Sequence, residues 1–238
     1  MKKIVLIVMV AFSSLVTLAQ KEIVNDPNAE LRELKGSFTS IKISGGIDLF
    51  LSQSDDEAVA VSASDSKSAE GIKTELLNGV LRIFYAGDKS WSKSNKHLRA
   101  YVSFKNLESI TASGASDVQV AGVIEVPSLT LTCSGASDFK GAVKVSDLKM
   151  QMSGASDATI KGSAVKISIE STGASDVKGY ELVTDYCDAK ASGASDISIT
   201  VNKELTANAS GASDITYKGD GSIKEHHTSG ASSVSKKG

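Results

Sequence analysis

The sequence predicts an all-β fold: a right-handed parallel β-helix with coils of about 19 residues and a less regular β cap at its N-terminal end. Three observations carry this. The tetrapeptide Gly-Ala-Ser-Asp occurs six times, beginning at Gly114, Gly135, Gly154, Gly173, Gly193 and Gly211, and a Gly-Ala-Ser-Ser variant begins at Gly230. Residues before each copy alternate between apolar and polar, the period-two pattern of a strand with one buried face. The unit is also too short for a strand, a crossover helix and a returning strand, which need about 30 residues.

Each element of the repeat has a reason. Six and four positions before the glycine stand pairs such as Leu129 and Leu131, Leu148 and Met150, or Ile167 and Ile169; two before it the residue is small or flexible, as in Cys133, Met152 and Ser171. Polar residues such as Thr130, Lys149 and Ser168 fill the gaps, and an apolar residue such as Val118, Phe139 or Ile197 follows each Asp. The unit is therefore strand, tight Gly turn, strand. In the turn, Gly supplies a backbone shape open at little cost only to Gly. Ala is expected to tuck into the corner, and Ser and Asp to bond back to nearby backbone N–H groups. Parallel stacking about 4.8 Å apart makes seven coils a rod about 34 Å long. Right-handedness is the rule for parallel crossovers. A left-handed helix of hexapeptides does not fit, because the steps vary from 18 to 21 residues and no six-residue sub-period survives.

Before the repeats, residues 1–19 have the charged start (Met1-Lys2-Lys3), apolar stretch and small-residue end of a secretory signal peptide. Residues 20–35 are expected as a linker, and 36–238 as one domain in which 36–110 form the irregular part and 111–238 the seven coils. Strands are expected over 38–43, 47–51, 58–63, 72–77, 80–85 and 98–104, with Asn78-Gly79 as a two-residue hairpin turn. Ser44-Gly45-Gly46-Ile47-Asp48 looks like a degenerate cassette, so the same winding is expected to start there.

Without Lys2 and Lys3 the chain carries 24 basic and 28 acidic residues, a net charge of about −4, and no basic block suited to nucleic acid. An exported chain with two cysteines invites a disulfide. Cys133 and Cys187, however, fall three coils apart, about 14 Å along the rod, whereas a disulfide needs Cα atoms within about 7 Å. Two buried free thiols are expected.

Chemistry, if present, would sit at the turn. Asp117, Asp138, Asp157, Asp176, Asp196 and Asp214 would form a column in which bare neighbours repel by about 0.9 kcal/mol in water. Backbone donors that make the cassette a structural turn, or bound calcium, would relieve this. His97, His226 and His227 lie in no metal or catalytic motif, and no nucleophile elbow appears. An enzyme is not expected. The loop 88–97 carries the only tryptophan, and Trp91 with Lys93 is a candidate contact for a sugar or an acidic partner. Lys236 and Lys237 would blunt the exposed edge of the last coil.

The segment from Gly36 through Ser37, Phe38, Ser44, Gly45, Gly46 and Ile47 to Leu49, the later Leu77-Asn78-Gly79-Val80-Leu81-Arg82-Ile83, and the Ser-Gly coils resemble the auto-transporter adhesin, head GIN domain family. The resemblance implies an exported, non-catalytic adhesin-type β-helix at the envelope or outside the cell, with a surface glycan or protein as partner and no catalytic residues to carry over. A polysaccharide-active enzyme and a purely structural envelope protein are the alternatives. No membrane barrel segment follows the last coil, so self-translocation is not expected.

Overall fold

The computed structural model describes residues 26–87 and 97–238. The expected signal peptide, Trp91 and Lys93 lie outside the described residues. The N-terminal part contains β1 (Glu30–Arg32), β2 (Ser40–Ser44), β3 (Asp48–Gln53), β4 (Ala58–Ser62), α1 (Ser66–Gly71), β5 (Ile72–Leu77), β6 (Val80–Tyr85), β7 (Arg99–Phe104) and β8 (Ser109–Ser113). The repeats supply β9 (Val118–Cys133), β10 (Phe139–Met152), β11 (Ala158–Gly173), β12 (Val177–Gly193), β13 (Asp196–Gly211), β14 (Asp214–Lys218), β15 (Ser222–Gly230) and β16 (Ser233–Lys236). The strands are nearly the whole of the fold, and the repeats form a parallel β-solenoid of about seven turns.

Each central coil is one long strand. β9 to β13 run 14 to 17 residues from just after one cassette into the next. The corners survive inside them as phase slips: Ser146 and Asp147 are both exposed, between buried Val145 and Leu148. Parallel partners keep bonding through such corners because the neighbouring coil bends identically, as Asp147 pairing with both Ser128 and Lys166 shows.

Inward positions stack in columns of compensating size. Phe139 lies between Val118 and Ala158, and Met152 between Cys133 and Ser171. A large side chain thus fills space that its smaller neighbours leave open, as close packing requires. Fully burying each Leu, Ile or Phe is worth about 1.5–3 kcal/mol. Cys133 and Cys187 are both free and buried. They occupy different columns, for Cys187 stacks on Ile167 and Leu205. Burial is the main cause that pushes both thiols up to about 12.

The N-terminal part winds out of order. β2 lies between β6 and β8, and β3 between β7 and β9, all parallel. The coil of β2 and β3 is therefore laid down first, the coil of β6 and β7 is added on its outer side, and the chain crosses back to start the array on the other. The degenerate cassette does stack on the first true one: Ser44 pairs with Ser113, and Ile47 N–H donates to Ser116 Oγ at 3.2 Å across 69 positions of chain.

Antiparallel strands close this end, with β4 on β7, β1 on β4 and β5 on β6. Asn78 (φ 50°) and Gly79 (φ 74°) both adopt the left-handed region that a tight hairpin demands. Two elements were not anticipated. β1 falls in the stretch expected as a linker, and α1 interrupts the strands where Asp65 caps it by accepting from Ser68 N–H at 2.8 Å.

The other end is polar. β15 pairs only with β13, is exposed along its whole length, and places His226 over Ala207 and Thr228 over Ala209, in register with inward positions. Lys236 and Lys237 lie over the rings of Tyr217 and Tyr180 at 5.9 and 5.6 Å. Polar rungs and cations there disfavour the addition of another coil.

Candidate functional site

The cassette assigns its two polar residues different tasks. Ser116, Ser137, Ser156, Ser175, Ser195 and Ser213 are fully buried, whereas the Ala before each is exposed. This corrects the expectation that Ala fills the corner. The reason is hydrogen bonding: the hydroxyl of Ser175 donates to Thr172 O at 3.1 Å, closing its own turn, and accepts from Ser156 N–H at 3.3 Å, joining the previous coil. Ser195 repeats the closing bond to Ser192 O at 2.9 Å. Only a side chain that donates and accepts at once can do both, and Ala would leave a buried N–H without a partner.

The six aspartates do form the expected column. Asp138, Asp157 and Asp176 each donate a backbone N–H to the carboxylate of the Asp one coil earlier, at 3.2, 3.0 and 3.3 Å, and Asp214 does so to Asp196 at 3.1 Å. Lys178 also reaches Asp157 Oδ2 at 3.0 Å. These bonds offset the mutual repulsion of the column. At its N-terminal end the column is extended by Asp48. Burial, then the facing charge of Asp117, pushes the Asp48 carboxyl up; burial and Asp138 do the same to Asp117. Among the described residues, no group of three or more His, Cys, Asp or Glu side chains converges in a way that could hold a metal ion.

The structure does not bring the histidines together. His97 precedes β7, while His226 and His227 lie exposed on β15 at the opposite end. Trp91 and Lys93 fall in sequence between β6 and β7, outside the described residues.

A further site was missed from sequence. On the outer face of β6, β2 and β8 lies a shallow groove of about 200 Å³ bordered by Arg82, Phe84, Lys42, Ser44, Thr111 and Ser113. Arg82, Lys42 and Thr111 face one another across the three strands, and so do Phe84, Ser44 and Ser113. The Arg82 guanidinium lies 5.6 Å from the Phe84 ring centre and 3.4 Å from Glu75 Oε2, with both charged side chains about half exposed at 52%. Lys42 has no ion-pair partner among the described residues. Two like charges directly opposite on neighbouring strands weaken the sheet. Their alternation in Ser-Ile-Lys-Ile-Ser and Val-Leu-Arg-Ile-Phe is visible in the sequence; that the two segments pair is not.

The family model described as "Putative auto-transporter adhesin, head GIN domain" matches residues 37–221. No curated protein matches the chain. A solved structure of a protein described as an adhesin of Bacteroides fragilis is similar, with a TM-score of 0.76 at 19% identity over 88% of this chain and 97% of that one. One described as a lipid binding protein of Parabacteroides distasonis gives 0.67 at 20% identity over 89% and 97%. An adhesin-described protein of Parabacteroides merdae gives 0.63 at 17% over 88% and 95%. At these identities the likeness to the solved structures is one of fold. The family match, by contrast, spans most of the chain, so this β-solenoid belongs to the auto-transporter adhesin, head GIN domain family.

Proposed function

We propose that the protein is an exported, non-catalytic solenoid of the cell envelope or cell surface that binds a glycan or protein ligand through its outer faces. One observation carries this reading. The outward column that begins at Arg82 and Lys42 continues in register through Thr111, Thr132, Gln151, Glu170, Lys190 and Asn208 to His227. It is an unbroken polar strip along the rod, the kind of long regular surface that solenoids offer to extended partners. The apolar start of the chain supports export, and membership of an adhesin-described family supports binding. Catalysis has less support, since glycoside cleavage takes two carboxyl groups flanking one bond and the groove has only Glu75 at its edge, held by Arg82. A ligand contact through Trp91 and Lys93 is a finer version of the same proposal, whereas calcium on the aspartate column is an alternative with less support, because most of its carboxylates already accept a backbone N–H.

The test is to display the purified mature chain on beads against a panel of neutral and acidic polysaccharides and extracellular proteins. The processed N-terminus from fractionated cells is sequenced in parallel. Capture of one ligand class, with processing near Ala19, supports the reading. Hydrolysis of a panel member, or retention of residues 1–19 in the cytosol, overturns it.

A further inference from the structure

The groove on β6, β2 and β8 combines features that folding alone does not require. Lys42 and Arg82 stand directly opposite on adjacent parallel strands, where their repulsion costs stability. Only Arg82 has an acidic neighbour, Glu75, leaving one positive charge in excess at the groove. Beside them the Phe84 ring is half-buried and backed by the Arg82 guanidinium, which leaves an apolar surface next to a cationic one. Hydroxyls of Ser44, Thr111 and Ser113 complete the border. Two cations, an aromatic face and hydroxyls within one concavity match an anionic group attached to a ring that is polar at its edge and apolar on its face. At about 200 Å³ the groove is smaller than the roughly 300–1,000 Å³ of pockets for drug-sized ligands. It therefore suits one unit of a polymer, whose next units would lie along the strip of Thr132 and Gln151.

We propose that this groove binds a carboxylate-bearing sugar unit of an acidic polysaccharide, with Lys42 and Arg82 holding the carboxylate and Phe84 stacking against the sugar ring. This rests on the binding role proposed above and gives it a site and a ligand class.

The experiment is calorimetric titration of the mature chain with a galacturonate hexamer and with its fully methyl-esterified counterpart, which keeps the sugar and loses the charge. The wild type is expected to bind the acid form at least about tenfold more tightly than the ester, with affinity falling as salt rises. K42Q, R82Q and F84A should each weaken binding about tenfold or more, K42Q without lowering the melting temperature because it relieves the repulsion, while E75Q, which frees Arg82, should tighten it. Equal affinity for acid and ester, or full affinity in K42Q and R82Q, overturns the site. A wild type that ignores the hexamer but captures another member of the polysaccharide and protein panel overturns the site and leaves the broader function standing. One that captures nothing overturns both.

Discussion

The repeat array and the N-terminal part bury the same kind of core but obtain their hydrogen bonds in opposite ways. From Gly114 onward every coil meets a near copy of itself, so the same serine, aspartate and glycine bond to equivalent partners at most steps. In the N-terminal part every strand meets a different neighbour: β2 touches β6 and β8, β4 lies antiparallel on β7, and Gln53 uses its side-chain amide to accept from Glu125 N–H at 2.7 Å and donate to Glu125 O at 3.0 Å. Identity between neighbours makes a rigid, extendable scaffold with a uniform surface. Difference between neighbours brings unlike side chains together, and that is where the groove of Lys42, Arg82 and Phe84 arises.

The largest expected test of that contrast is a glycine substitution in each region. An added Cβ at Gly173 (φ 86°) would lie 2.5 Å from the Gly154 carbonyl oxygen, whereas at Gly79 (φ 74°) it meets nothing within 4 Å. Gly173→Ala should therefore cost about 3–5 kcal/mol, from left-handed strain plus a backbone clash, and Gly79→Ala only about 1–2 kcal/mol from strain. Urea denaturation of both variants checks this, and equal losses would show that the array's close coil spacing does not constrain its glycines.

Next in size are the cassette serines. Ser175→Ala strips the acceptor from Ser156 N–H inside the array, and Ser116→Ala strips it from Ile47 N–H at the junction. Each should cost about 1–3 kcal/mol. Hydrogen exchange separates them: Ser116→Ala should speed exchange at Ile47 and leave Ser156 protected, and the reverse pattern would mean that the N-terminal part does not depend on this joint.

A smaller effect concerns pH. Asp48 and Asp117 have raised folded-state pKa values, so the folded chain holds these protons more tightly than the unfolded one. Their contribution to stability is present at low pH and is lost as pH rises from the ordinary carboxylate value through the raised one. Asp48→Asn should remove part of that loss and stabilise the protein at neutral pH by less than about 1 kcal/mol, given the partial exposure of the pair. Melting temperatures of wild type and variant from acid to neutral pH measure this. A variant that melts lower at neutral pH would contradict it.

The smallest effect is expected from calcium. Most carboxylates of the column already accept a backbone N–H, so calcium added after chelation should change the melting temperature by less than about one degree. Heat released on titration, abolished in Asp157→Asn and Asp176→Asn, would instead make the column a metal site.

Much of this molecule was legible in its residues. The repeat determined the solenoid because a unit of about 19 residues with period-two alternation has no room for a helix and must stack on its own copies. The same register separated Cys133 from Cys187, and Asn78-Gly79 marked its hairpin because few other pairs accept two positive φ angles. The degenerate cassette at Ser44 to Asp48 was readable for the same reason: local turn chemistry is written locally. What only the tertiary structure decided was which distant segments became neighbours. That β2 and β3 lie between β6–β7 and β8–β9, that Ser and not Ala fills the corner, and that Lys42 meets Arg82 all depend on contacts across tens of residues. Alternation tells a strand which face is buried, but the choice of partner is made by the packing of the whole core, and so the site that depends on partner choice appears only in the fold.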